Sequence, residues 1–391
     1  MRRRLPKTRF QRGTIIVLVA VSIPVMLAFA ALTVDVGMLY SARADLQRAA
    51  DAAALAGATA FLEDAGITGN EPKLALLIAS RTKEAALRNP TLGKSTSIEP
   101  GDLVFGQHDY DHPSAPLGSV APWNAVQVTL RRTPDSANGP VPYFFAGIFK
   151  RFRGGVTASA RAAVNDRMAG YQLSRDLDWD FIPFAIHQDI YENMIHNGPD
   201  AYSYDNGVHP TPDGVREIRL YPWRWKDLAT DLHMVDSDGA GNFGTLNVGI
   251  GDQGTSSLNS QITNGVTASQ LETTFGTSTL EFYDEAGTPQ TYTCGGNPGL
   301  SGGLASAVEA RIGDVVGFFL HKGFIDSGNG ANAVYEVTGI RFGRIVAARL
   351  TGNPNERTII IQPVAREDGH VIVDDAAPPT HGYMGRVMLV Q

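Results

Sequence analysis

Cysteine is almost absent from this chain, since Cys294 is the only one among 391 residues. An intramolecular disulfide is therefore excluded, whichever compartment holds the protein. A single thiol also makes a weak catalyst candidate, because no nucleophile motif surrounds Cys294.

The sequence also lacks the short motifs that usually identify an enzyme. It contains no G-x-S-x-G elbow, no phosphate-binding P-loop, no dinucleotide fingerprint and no H-E-x-x-H pair. We therefore predict no catalytic residue, no cofactor and no bound metal. His108 and His112 flank two aspartates in the run QHDYDHP, which is compatible with a metal site but is more typical of a polar turn.

Basic residues are scarce outside the N-terminus. The formal net charge is −7, and the first twelve residues hold six basic side chains and no acidic one. The remainder therefore has 27 basic and 40 acidic residues, a balance of −13. Nucleic-acid binding requires clustered Lys and Arg, so an acidic remainder argues against that class of partner.

One long apolar run follows this basic tip. It extends over 21 uncharged residues from Thr14 to Val34, and as a helix it would measure about 32 Å, close to the ~30 Å hydrocarbon core of a bilayer. The positive-inside rule then places the N-terminus in the cytoplasm and nearly everything after Asp35 outside the cytoplasmic membrane. The alternative is a cleaved signal peptide with Ala28-Phe29-Ala30 as its site, but the run continues past that site to Val34.

A heptad pattern of small residues begins just after Asp35, which we expect near the outer membrane interface. The spacing alternates between three and four residues and predicts a helix that continues from the membrane to about Leu62. This seam either packs on the chain's own next domain or meets a partner helix in an oligomer. Its members are Leu39, Ala42, Leu46, Ala49, Ala53, Ala56 and Ala60.

Helix and strand patterns divide the rest of the chain at about residue 165. A second helix is predicted at 71–88, strands at 103–106, 125–130 and 155–164, and a short apolar helix at 141–149. Beyond residue 166, short strand patterns and Gly-rich turns dominate, with one helix at 304–312. We predict an α+β fold: a basic tip (1–13), a transmembrane helix (14–34), an α+β module (35–165) whose long helix packs on a small sheet, and a β-rich extracytoplasmic domain (166–391).

The residues around the apolar run resemble the N-terminal segment of the Flp-type (tight-adherence) pilus-assembly family of TadE/TadG-like proteins. The match covers Arg12-Gly13, the run with Pro24, and the strings VDVG, LY and ADLQ, followed by AADAAALAGA at 49–58. It continues, with the strings VFGQHDY, NAVQVTLRRT, NGPVPYFFAGIF and VTASARAAV, over about 165 of the 391 residues.

This resemblance implies a single-pass membrane component of a pilus-assembly or secretion apparatus, whose partners are the bilayer and either pilus-apparatus proteins or further copies of itself. Two family features are missing. The fifth residue after Gly13 is Leu18 where prepilin-type processing needs glutamate, and the Asp-x-Ser-x-Ser metal motif of some large relatives does not occur.

Two other function classes stay open at this level. A surface or glycan-binding adhesin would use the distal β domain, with Trp223 and Trp225 as stacking side chains. A membrane-tethered hydrolase would use the histidines and aspartates of residues 187–214, around His187 and Asp189.

Overall fold

The structure is a computed structural model of the chain. It describes residues 14–62, 71–110, 112–119, 123–172, 181–220, 243–249, 251, 254–327, 333–353, 356–367, 369–378, 380 and 384–390.

The longest element is the helix α1, which spans Thr14–Ala58 and ends in a 3-10 turn at Thr59–Leu62. Its 45 residues correspond to about 68 Å of helix. The predicted continuity from the apolar run to Leu62 is thus confirmed. The second helix, α2, spans Glu71–Arg88 as predicted and packs against α1.

The first sheet forms a layer against these two helices. Its strands are β1 (Leu103–Gly106), β2 (Ala125–Arg132), β5 (Val156–Asn165), β17 (Arg366–Glu367) and β19 (Met384–Val390). They lie in the order β1-β2-β5-β19-β17, with β19 antiparallel to β5. The C-terminal strand therefore returns to the sheet of the N-terminal module. The division at residue 165 stays a prediction, and this pairing links the two parts of the chain.

A small hairpin precedes β5. It consists of β3 (Val141–Pro142) paired with β4 (Arg153–Gly154), with a 3-10 turn at Ala146–Phe149 between them. The short apolar helix predicted at 141–149 is therefore wrong. A proline disfavours helical backbone at the residue before it, so Val141 is extended and pairs as a strand, and only one 3-10 turn forms after Pro142.

The second sheet contains seven strands in the order β10-β16-β15-β13-β11-β7-β14, and β14 also pairs with β15. This extra pairing closes five of the strands, β15, β13, β11, β7 and β14, into a ring. The bounds of all seven strands are β7 (Phe181–His187), β10 (Ile218–Leu220), β11 (Phe243–Leu246), β13 (Tyr292–Pro298), β14 (Val315–Ser327), β15 (Ala333–Arg349) and β16 (Thr358–Pro363).

Helices and short strands surround this ring. The helices are α3 (Gln188–Asn197), α4 (Thr255–Asn264), α5 (Ala268–Phe275) and α6 (Ala305–Glu309), and a 3-10 turn at Gly302–Leu304 precedes α6. The short strands are β6 (Met168–Gln172), β8 (Ser203–Tyr204), β9 (Val208–His209), β12 (Thr279–Glu281) and β18 (Val371–Val373). The sequence predicted one helix in this region, at 304–312, whereas the described residues contain four, of which α6 covers only Ala305–Glu309 of that range. The predicted α+β class with a β-rich C-terminal region is confirmed.

Two apolar cores lie on opposite faces of the ring. Phe181 on β7 packs in one cluster with Phe319 and Phe342, whereas its neighbours Ile182 and Phe184 pack in another with α3, α4 and α6. This alternation follows from the two-residue period of a strand.

Candidate functional site at the membrane-proximal helix

The apolar half of α1 is exposed to its surroundings. Ile16 is 71% exposed and Phe29 is 67% exposed, and only 6% of the most apolar 18-residue window is buried inside the protein. A core helix would bury such a window, because apolar burial is the main favourable term in folding. Among the described residues, this is the one helix whose length and composition suit a membrane crossing.

The other half of α1 carries the heptad seam, and the structure places this seam inside the protein. Five of its members are fully buried: Ala42, Leu46, Ala49, Ala53 and Ala60. Leu39 and Ala56 are half-buried.

The seam packs against the inner face of the first sheet and against α2. Val126 and Val128 of β2 belong to the same apolar cluster, together with Ala158 and Ala160 of β5. Alanines on both sides bring helix and sheet close together. Of the two alternatives that the sequence left open, packing within the chain is the one seen here, so a partner helix would have to use a different face of α1.

The face of α1 opposite the seam is exposed. Tyr40, Ala44 and Arg48 follow one another at four-residue spacing on that face and are all exposed. Beyond Arg48, the side chains facing away from the sheet become half-buried. The free face of α1 is thus confined to the first turns after the apolar run.

Asp35, the residue that directly follows the apolar run, is only 3% exposed. Its carboxylate accepts hydrogen bonds from the backbone N–H of Phe144 (2.7 Å), from that of Phe145 (3.1 Å to Oδ2) and from that of Ala146 (2.5 Å). Burial acts to raise the pKa of Asp35, but these three hydrogen bonds outweigh it and leave the pKa below its usual value. An ionised side chain therefore joins the end of the apolar run to the loop between β3 and β4.

This loop presents aromatic and basic side chains to its surroundings. Phe144 is 70% exposed and Phe152 is 65% exposed, and Lys150, Arg151 and Arg153 are exposed beside them. Two backbone hydrogen bonds close the loop on itself, from Tyr143 N–H to the Phe152 carbonyl (2.9 Å) and from Arg151 N–H to the Ala146 carbonyl (3.0 Å). Sequence patterning did not single out these side chains, although the mixture of Phe, Lys and Arg in YFFAGIFKRFR was the signal.

Comparison with protein families bears on the helix that carries this site. Residues 13–60 match the family model described as Flp pilus-assembly TadE/G-like. The match starts at the residue before α1 and ends within the 3-10 turn that follows it, and it supports the resemblance inferred from the sequence. Comparison with curated proteins and with solved structures gave no match.

The other candidates lie outside this Tad-like segment. Of the histidine cluster at 108–112, the structure describes every residue except Asp111. The ring of His108 is buried with its edge against Tyr110, whereas His112 is exposed and its Nδ1 lies 3.0 Å from Asp109 Oδ2. Burial, followed by the charge of Arg161, lowers the pKa of His108. Among the residues that the structure describes, no three His, Cys, Asp or Glu side chains group as metal ligands.

The region proposed for a hydrolase has a structural use. His187 caps α3, because its Nδ1 accepts a hydrogen bond from the backbone N–H of Asp189 at 3.3 Å. The side chain of Asp189 is exposed. His187 also contacts His321 edge-to-face, with ring centroids 5.2 Å apart.

Cys294 lies on β13 and is 3% exposed. Its thiol contacts the carbonyl oxygens of Asn247 and Gly295, and burial raises its pKa to about 12. Such a thiol stays protonated at neutral pH, and a protonated thiol is a poor nucleophile.

Trp223 and Trp225, the stacking side chains predicted for a glycan-binding adhesin, lie outside the described residues.

Proposed function

We propose that this chain is a non-catalytic, single-pass component of a Flp-type pilus-assembly or secretion apparatus in a bacterial cytoplasmic membrane. The observation that carries the proposal is the position of the family match. It falls on the helix that joins an exposed apolar run to the core of the chain's own α+β module. One rigid element would thus connect the bilayer to the bulk of the protein.

The basic tip supports an orientation with the N-terminus in the cytoplasm and the residues after Asp35 on the outer side. Retention of the anchor is supported by the helix itself. Cleavage after Ala30 would cut α1 in the middle of a continuous helix, and the family match extends across that position.

The role we propose is to hold other envelope proteins close to the membrane. Because the seam is occupied by the chain's own sheet, we assign protein contacts to the exposed face at Ala44 and Arg48, which lies beyond Tyr40 along α1. Pilus-apparatus proteins and a second copy of this chain are the partners expected from the family. Adhesion through the distal β domain stays a prediction, and no observation on the described residues favours it.

Photocrosslinking in cells that assemble the pilus tests this proposal. A photoreactive amino acid at Ala44 should give crosslinks to a pilus-apparatus protein or to a second copy of this chain. The matched control is the same amino acid at Ala286, which is also exposed but lies in a distal turn before β13. Equal and low yields at Ala44 and Ala286 would contradict a role for this face of α1 in assembly.

A further inference from the structure

The loop between β3 and β4 has an unusual surface for a segment outside the apolar run. Its exposed side chains are phenylalanines and cations, and no acidic residue occurs between Val141 and Gly155. Among the residues whose side-chain burial the structure describes, four Phe are exposed: Phe29 lies in the apolar run, and Phe144, Phe145 and Phe152 lie in this loop. Water is a poor solvent for such a cluster, which indicates that something covers it.

The position of the loop identifies what covers it. Its backbone amides at 144–146 lie within 2.5 to 3.2 Å of the Asp35 carboxylate. Asp35 is the first residue after Val34, where the apolar run ends. If the run crosses the bilayer, the loop is held at the depth where the hydrocarbon meets the headgroups on the outer side.

The chemistry of the loop suits that depth. Aromatic rings concentrate at membrane interfaces, and Tyr40 adds another ring, 72% exposed, on the adjoining turns of α1. Lys150, Arg151 and Arg153 would meet the anionic headgroups of the same leaflet, with their aliphatic stems lying along apolar surface. The left-handed backbone of Lys150, with φ of 60°, ends the 3-10 turn and keeps the basic residues next to the aromatic ones.

We propose that this loop is a second membrane contact, in which Phe144, Phe145 and Phe152 insert into the outer headgroup boundary and the adjacent cations bind anionic lipid. Asp35 couples the loop to the membrane helix. The module would then rest on the bilayer at two points, and its orientation relative to the membrane would be fixed. This inference rests on the proposed membrane anchor.

Spin labels report the depth of the loop directly. The full chain with Cys294→Ser is labelled with a nitroxide at Phe144→Cys or Phe152→Cys and reconstituted in vesicles of phosphatidylethanolamine and phosphatidylglycerol. Collisions with oxygen, which concentrates in lipid, and with a water-soluble nickel chelate are then compared. Glu285→Cys, exposed in a distal turn, is the aqueous control, and Phe29→Cys is the control for the bilayer.

We expect both loop labels to have a higher ratio of oxygen to nickel accessibility than Glu285→Cys and a lower ratio than Phe29→Cys. A ratio equal to that of Glu285→Cys would overturn the inference, because the loop would then lie in water. Low access of both reagents would also overturn it, because another protein surface would then cover the loop. A lipid-exposed Phe29 label with water-exposed loop labels would leave the anchor standing, whereas a water-exposed Phe29 label would remove both proposals.

The role of the cations has its own test. The triple change Lys150→Gln, Arg151→Gln and Arg153→Gln should make the Phe144 label shallower in these vesicles. Replacing phosphatidylglycerol by phosphatidylcholine should have the same effect on the parent and none on the triple variant. A depth that is unchanged in all four cases would contradict lipid binding by the cations.

Discussion

Gly57 and Gly37 offer a matched test of how α1 is packed. Both are glycines of α1: Gly37 lies in its interior, where Ala is favoured over Gly by about 1 kcal/mol, and Gly57 lies one residue before its end at Ala58. A Cβ at Gly37 would meet nothing within 4 Å. A Cβ at Gly57 would stand 2.3 Å from Thr82 Oγ1 and 3.2 Å from Val126 Cγ1. Gly57 thus lies where α1, α2 and β2 meet.

The expected magnitude follows from comparing the two substitutions. Gly37→Ala should stabilise the folded protein by up to about 1 kcal/mol. Gly57→Ala makes at most the same gain, because Gly57 lies at the end of α1, and it must displace Thr82, whose hydroxyl donates to the Ile78 carbonyl at 2.7 Å. Overpacking of this kind costs about 1–3 kcal/mol. Because the helix gain at Gly57 does not exceed that at Gly37, the difference in unfolding free energy between the two variants should be at least about 1–3 kcal/mol.

The measurement is urea unfolding of the full chain in a mild detergent, followed by limited proteolysis of the module at each urea concentration. A double-mutant cycle sharpens it. Thr82→Ala removes the closest atom, so Gly57→Ala should cost about 1 kcal/mol less in that background. Equal midpoints for the Gly37→Ala and Gly57→Ala variants would refute the packing of α1 against α2 and β2 described here.

The two faces of α1, the buried Cys294 thiol and the Asp35 carboxylate each give a further prediction. Ala53→Leu should lower the unfolding free energy by about 1–3 kcal/mol, whereas Ala44→Leu on the exposed face should change it by less than about 0.5 kcal/mol. The same urea titration checks both variants, and a larger effect at Ala44 than at Ala53 would contradict the assignment of the two faces. Cys294, whose pKa is raised by burial, should resist iodoacetamide in the folded chain and react fully in denaturant, and rapid labelling of the folded chain would contradict its burial. The pKa of Asp35 lies below the usual 3.8. The stability that its carboxylate contributes is therefore complete above pH 3.8 and is lost as the pH falls through the pKa of the folded state. Amide protection factors at residues 144–146 should drop on acidification, and protection that persists in an Asp35→Ala variant would contradict the contact.

Local patterns in the sequence were enough to predict much of the fold. The apolar run and the alanine heptads predicted one continuous helix, because the run has the length of a membrane-spanning helix, the heptads have a helical period, and the isolated Gly37 between them is tolerated in a helix. The strand β1 was predicted with the bounds it has, since its apolar residues cluster as strand residues do. The pairing of β19 with β5 was not predicted, because it joins segments more than 200 residues apart, and local periodicity carries no information about pairing over such distances.

The candidate site was predicted only in part, for a similar reason. Asp35 was expected near the membrane interface because it follows the apolar run, but its contact with Phe144 and its neighbours depends on how a distant hairpin docks. The heptad seam was predicted as a packing surface, either for the chain's own next domain or for a partner helix. Its partner is the chain's own sheet, and periodicity alone does not distinguish an intramolecular surface from an intermolecular one.

The central claim is that the apolar half of α1 crosses the membrane and carries the rest of the chain outside it. Labelling of intact cells with a membrane-impermeant maleimide tests it most directly, with single cysteines at Gln11→Cys, Asp135→Cys and Glu285→Cys in a Cys294→Ser background; Asp135 and Glu285 are both exposed. We predict labelling at positions 135 and 285 in intact cells, and labelling at position 11 only after the membrane is permeabilised. Labelling of all three positions only after permeabilisation, or recovery of the labelled protein from the soluble fraction, would contradict the claim.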